Sequence, residues 1–336
     1  MSHRGNADAL EWAVGIPDRT APLLLKKFAA LALVALAATV SASAPRADAA
    51  PNLLLPDLRQ APPGCAGGSS GEVLLCTAWD VCPVIEPAAP NGRCVAPSVA
   101  KAVRLRFTSA EENIGDGPLL LYGRRDSTNQ PTMAVRQALR NGTDGSIPGS
   151  YAAAQRATGA FTYYEPALAH QHWHLMNFEH FALVSRQGKT VVTDRKNGFC
   201  LGDRFQVHDV GRWPHVPGDT GTDAELAAKL RDNMCRHHEP TALEVMEGIS
   251  VGSGDDYKYT VDFQWLDITH VPNGTYDLVN TVNADRTLVE TDYRNNSSAV
   301  ALSIAWPQGV PGADGTIPAA PIVRFLRSCP GQPRCA

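Results

Sequence analysis

His170-Gln171-His172-Trp173-His174, with His180 close behind, is the stretch that sets how the rest of the chain reads. Four of the ten histidines fall within these eleven residues. Alternation of His172 and His174 with Trp173 predicts a β-strand, because successive strand side chains point to opposite faces. Three imidazoles on one face make a borderline-soft nitrogen site, suited to copper, zinc, nickel or iron. A straight strand, however, sets His170 about 13 Å from His174 at ~3.3 Å per residue. Either the strand bulges there, or two of the three bind with a further ligand such as His180. A surface strand whose imidazoles bond to backbone is the competing reading, and the density of the run favours metal.

Outward from this strand, Phe178–Ser185 continues it, Gly188 marks a hairpin turn and Thr190–Thr193 returns. Val103–Phe107 alternates apolar and basic residues, and Pro118–Tyr122 follows a turn. Tyr257–Asp267, Tyr276–Val282 and Ser298–Ala305 read as strands, with Pro272-Asn273-Gly274 as a turn. Ala224–Cys235 reads as a helix with Thr222 as its N-cap. Residues 124–160 read as a polar insertion long enough for a lid or binding loop, holding a short helix at Met133–Arg140. The sum predicts an all-β fold: a disulfide-bonded β-sandwich of Ig-like strands with long loops and one or two short helices.

Composition agrees with a turn-rich β protein: 28 glycines, 25 prolines and only 19% charged residues in 336. A formal charge of -4 excludes the basic stripe of a nucleic-acid binder. Lys26-Lys27, the apolar run Phe28–Ala44 and Ala47-Asp48-Ala49 make residues 1–49 an export signal with an extended N-terminus. The mature chain is expected to start at Ala50 and to be secreted, or held at the cell surface or in the periplasm, free of membrane. A membrane anchor is the alternative, since the apolar run is close to spanning length. All eight cysteines lie beyond residue 49, which predicts disulfides. Proximity suggests two bridges within 65–94, one joining Cys200 to Cys235 and one joining Cys329 to Cys335. The chain divides into a Cys-, Pro- and Gly-rich segment 50–98, a β domain 99–306 and a tail 307–336.

Two further motifs follow the histidines: Lys196-Asn197-Gly198-Phe199-Cys200, and Tyr257 seven residues before Gln264-Trp265-Leu266-Asp267-Ile268-Thr269. In this order the three resemble the lysyl oxidase family, with its H-Q-H-x-H run, K-x-x-F-C lysine and tyrosine ahead of a Q-W-x-D-I-T strand. Val289–Asn296 is similar to the family too, though less specifically. The resemblance implies that 99–306 is a copper-binding domain with His170, His172 and His174 on Cu2+. It implies that Lys196 and Tyr257 become lysine tyrosylquinone, and that a primary amine, peptidyl lysine or small, is oxidised by dioxygen to an aldehyde with release of ammonia and hydrogen peroxide. A carboxylate near Tyr257 is expected to take the substrate proton, and Asp262 and Asp267 are the candidates. A regular strand would turn Asp262 to the face opposite Tyr257. Family cysteines are replaced here by Ala169, Gly254 and Phe263, so the disulfide pattern must differ. Two rivals stand beside this reading. His172-x-His174-x4-Glu179 copies part of the cupin metal motif, but Pro166 stands where that motif needs glycine. A non-enzymatic exported copper-binding or adhesion module would need neither Lys196 nor Tyr257.

Overall fold

The computed structural model describes residues 52–69, 76–195, 198–208, 221–312 and 315–335, with backbone only at 194 and 195, all within the unit Ala49–Ala336. Segment 1–49, read from the sequence as an export signal, and Lys196 lie outside the described residues.

In chain order the strands are β1 (Leu53–Leu54), β2 (Leu58–Gln60), β3 (Trp79–Val84), β4 (Ala102–Phe107), β5 (Ser109–Asn113), β6 (Leu119–Arg124), β7 (Thr132–Ala138), β8 (Arg140–Asn141), β9 (Arg156–Glu165) and β10 (His172–Leu175). They continue with β11 (Glu179–Ser185), β12 (Thr190–Arg195), β13 (Phe205–Gln206), the helix α1 (Thr222–Arg231), β14 (Glu244–Ile249), β15 (Ser253–Tyr257), β16 (Trp265–Asp267), β17 (Gly274–Val282), β18 (Ser297–Ala305) and β19 (Ile322–Cys329). Every strand pair is antiparallel, in sheets ordered β10-β9-β7-β6-β14, β12-β11-β17-β18-β19, β13-β15-β5-β2, β16-β4-β3 and the small pair β1-β8. The all-β, disulfide-bonded expectation holds.

β4 explains the main core. Val103, Leu105 and Phe107 point one way and pack on Phe181, Leu183, Tyr276, Leu278, Leu302 and Ile304 from the five-stranded sheet opposite. This is two sheets face to face. Arg104 and Arg106 point the other way and are buried too. Burying a guanidinium is costly unless its donors are met. Arg104 lies 3.9 Å over the Trp265 ring and donates from Nη2 alone to the carbonyls of Glu86, Pro87 and Ala89, so its burial is only partly compensated, while Arg106 pairs with Asp80. A second core, including Leu119, Leu121, Leu175, Phe178, Phe199 and Ile249, lies behind the histidine strand.

Several local expectations are corrected. Met133–Arg140 forms no helix: Met133, Val135 and Gln137 are buried while Ala134 is exposed, a period of two that makes β7. Within 124–160, β7 and the start of β9 therefore belong to the sheet of the histidine strand, and the turn-rich stretch between β8 and β9 remains loop. The helix stops at Arg231, and Gly221 holds its N-cap position without a side-chain bond. Tyr257–Asp267 is not one strand, because β15 ends at Tyr257 and Phe263 adopts a left-handed φ of 59° before β16 begins. Segment 50–98, read as mostly loop, contributes β1 to β3, and the tail adds β19 to a sheet edge, where Phe325 stacks on Trp79 at 4.2 Å. Four bridges form, Cys65–Cys76, Cys82–Cys94, Cys200–Cys235 and Cys329–Cys335, as proximity suggested. Among the described residues no helix is long and apolar enough to cross a membrane.

Phe181 stands at the centre of the sandwich, edge-on to Phe107 at 4.9 Å. Phe181→Ala should cost about 3–5 kcal/mol, from lost burial and the cavity left behind. Urea unfolding of the oxidised protein measures it.

Candidate metal centre

Three histidines reach one point by two routes. His172 and His174 alternate on β10, whose partner β9 sets Glu165 opposite His172 and Tyr163 opposite His174. His170 precedes the strand in a turn where the amides of His170 and Gln171 both donate to Ala167 O. Gln171 then takes φ 51°, a left-handed conformation that breaks the strand and swings His170 round beside the other two. This resolves the 13 Å problem of the straight strand. His170 Nδ1 lies 3.4 Å from His172 Nε2 and 3.2 Å from His174 Nε2, and the two Nε2 atoms are 2.8 Å apart. All three rings are buried. Nitrogens ~2.0–2.1 Å from a common ion, at angles between 90° and tetrahedral, would lie about 2.9–3.4 Å from one another. The triangle fits a transition metal with positions left open on it, and among the described residues it is the one cluster of ligand-type groups so close. His180 does not join it; its Nε2 lies 3.7 Å from Asp285.

The back of β10 is anchored. Trp173 is buried, donates its amide to Cys235 O and its indole N–H to Glu239 O, and carries the Arg125 guanidinium 4.6 Å above its ring. Beyond it Leu175 pairs with Phe199 through two backbone bonds of 2.7 and 3.0 Å. That bridge brings the segment following Lys196 against the histidine strand. Gly198 has φ 87°, and a Cβ there would sit 2.6 Å from the His174 Cβ, so only glycine fits.

Tyr257 ends β15 with its ring stacked on His170 at a centroid distance of 6.2 Å and edge-on to Phe199 at 4.7 Å. Its hydroxyl accepts the Cys200 N–H at 2.7 Å. The ring is half-buried and the hydroxyl is its inner end. Burial, then the carboxyls of Asp255 and Glu247, push the phenol well above its usual range. Glu247 and Asp255 are themselves raised by burial, and they accept the amides of Leu201 and Gly202.

Of the two carboxylates expected near Tyr257, the turn between β15 and β16 carries Asp262 to 3.9 Å from His170 Nε2. Asp267 is exposed and accepts from Thr269, with Arg104 its charged neighbour. Glu165 was not singled out by sequence reasoning. It is buried, accepts the Ala167 amide, and is raised by burial and by the nearby charge of Asp262. Its presence at the centre follows from the β9–β10 register, which no local pattern announces.

Fold and site together define a disulfide-bonded β protein with a buried three-histidine centre. Residues 223–306, which include Tyr257 and Asp262 but not the triad, match the model of the lysyl oxidase family. Lysyl oxidase homolog 2 of Gallus gallus is 30% identical over 128 residues, 38% of this chain and 13% of that protein. Homolog 2A of Danio rerio is 31% identical over 138 residues (41% and 15%), and homolog 2 of Homo sapiens 31% over 128 (38% and 13%). The match over 223–306 and these relatives together support membership of the lysyl oxidase family for this chain. Its matches span only 13–15% of the length of these curated relatives.

Two outcomes follow. If the triad holds a metal, replacing any one of its histidines by alanine should abolish one-equivalent uptake of added Cu2+ in equilibrium dialysis, while Asp262→Asn should weaken it roughly tenfold. Glu247 binds its proton more tightly in the folded than in the unfolded chain, so its stabilising contribution is complete below about pH 4.5 and is lost as pH rises through the raised folded value. Urea midpoints should fall toward alkaline pH, and Glu247→Gln should flatten the fall.

Proposed function

We propose that this chain is an exported copper-dependent amine oxidase whose quinone cofactor derives from Lys196 and Tyr257. The observation that carries the reading is Tyr257: its ring lies against His170, and its hydroxyl is held by the amide of Cys200, four residues after Lys196. Family membership supports the copper amine-oxidase type of function. Four disulfides and the export-type leader support an oxidising compartment outside the cytosol.

The ligands are His170 through Nδ1 and His172 and His174 through Nε2. When bound, copper with the Lys196–Tyr257 quinone supplies an electron sink for amine oxidation by dioxygen. The rest is the work of the protein's own side chains. Phe199 and His170 fix the plane of the Tyr257 ring, and the Cys200 N–H fixes its oxygen. Asp262 is the base proposed for the substrate α-proton, and at the Nε2 side of His170 it also favours the tautomer that leaves Nδ1 free for metal. Glu165, beside Asp262, keeps a second carboxyl near the incoming ammonium group. The substrate is a primary amine, either a small molecule or peptidyl lysine.

Tryptic mass spectrometry of aerobically copper-loaded protein should find the Lys196 and Tyr257 peptides joined through an oxidised ring. Amine-dependent peroxide release should vanish in Lys196→Arg and Tyr257→Phe while copper binding persists. Two separate, unmodified peptides would reduce the chain to a copper-binding module.

A further inference from the structure

A second histidine group lies beside the triad and takes no part in the proposed chemistry. His237 and His238 have ring centroids 3.7 Å apart, and the His237 ring is 6.1 Å from that of His172. His238 is exposed and His237 half-buried, while His172, at 8% exposure, is the least buried of the triad against 2% for His170 and 1% for His174. The three rings form a file running from solvent to the centre.

The loop that carries the pair is pinned. The Cys200–Cys235 disulfide closes one end, Trp173 donates to the carbonyls of Cys235 and Glu239, and the His238 amide donates to Gln171 O at 2.8 Å. Within it Cys235, Arg236 and His238 all adopt left-handed φ values, 46°, 57° and 62°. Side chains other than glycine seldom accept that conformation, and clustered exceptions mark functional segments. Here the strained backbone holds two imidazoles together at the rim instead of letting them spread into solvent.

We infer that His237 and His238 form an entry site that receives the copper ion and hands it to His172. The inference rests on the reading that the triad holds copper. A hydrated cation cannot meet three nearly inaccessible nitrogens at once, and a site of this kind needs an entry path. Two imidazoles at the surface would exchange for some of the ion's water, and the bonds to His238 and then His237 would be given up in turn as bonds to His172 and the other two triad nitrogens replace them. The oxidation state is unchanged, and any proton on an arriving nitrogen leaves to solvent. His237 adjoins His172 but stands outside the group of nitrogens within 4.8 Å of one another, so it is a station on the way and not a fourth ligand.

The test is uptake of Cu2+, supplied as its glycine chelate, by the full-length apoprotein, followed by stopped-flow absorbance and electron paramagnetic resonance. His237→Gln/His238→Asn is the variant of choice, because asparagine tolerates the left-handed φ at 238. It should still bind one equivalent with the wild-type resonance spectrum, but load roughly tenfold more slowly or worse. A variant lacking all three triad imidazoles should keep a weak copper signal that disappears when 237 and 238 are also replaced. An unchanged loading rate overturns the entry role, and so does a changed spectrum or a lost equivalent, which would make His237 part of the centre itself. Wild-type protein that takes up no copper would instead sink the metal reading of the triad, and the entry site with it.

Discussion

Three buried imidazole nitrogens lie within 3.4 Å of one another, close enough for neutral rings to share N–H···N hydrogen bonds and for one cation to be bridged by all three. Most of the local structure serves that convergence. The turn at Ala167–His170 and the left-handed Gln171 deliver the first ring, and β9 supplies the pleat that aims the other two. Trp173, clamped by Arg125 from one side and the 235–239 loop from another, stops the strand from rotating away. Gly198 lets the 198–200 segment approach so closely that any side chain at 198 would collide with His174 Cβ.

Carboxyl groups surround this centre in two sets with different surroundings. Glu165 and Asp262 lie on the side of His170, where a positively charged metal or ammonium group would be welcomed. Glu247 and Asp255 lie behind the phenol of Tyr257 and spend their acceptors on backbone amides of Leu201 and Gly202. Burial favours the neutral form of both, so they fix the 200–202 segment while adding little charge behind the phenol at low pH.

Much of this was legible in the sequence, because period-two alternation survives wherever one face of a strand meets a core. Val103–Phe107, Tyr276–Val282 and Ser298–Ala305 were found that way, and the histidine run declared its own chemistry. Cysteine proximity gave Cys200–Cys235 and Cys329–Cys335 and put two further bridges within 65–94 without pairing them. What failed was reading where regularity stops. The alternation in Met133–Gln137 is masked by the polar residues that flank it, and nothing before residue 263 warns of the left-handed φ that separates β15 from β16. That same turn explains why Asp262, expected on the wrong face of a straight strand, arrives beside His170. Glu165 depends on inter-strand register, and the His237–His238 pair on a disulfide and three positive φ values. Those are properties of contacts between distant segments.

The final strand has a bearing on how the protein can be handled. β19 is laid along β18 as the outermost member of its sheet, with Phe325 resting on Trp79 and the Cys329–Cys335 bridge behind it. It acts as a lid seam. A chain cut short of Ile322 would make β18 the sheet edge and bare the backbone of Ala299–Ala305, the seven residues that β19 covers, as a template on which a second molecule can add its own strand. Shortened versions would therefore exchange one sheet edge for another and lose the Trp79–Phe325 stack and the Cys329–Cys335 bridge that hold the present one.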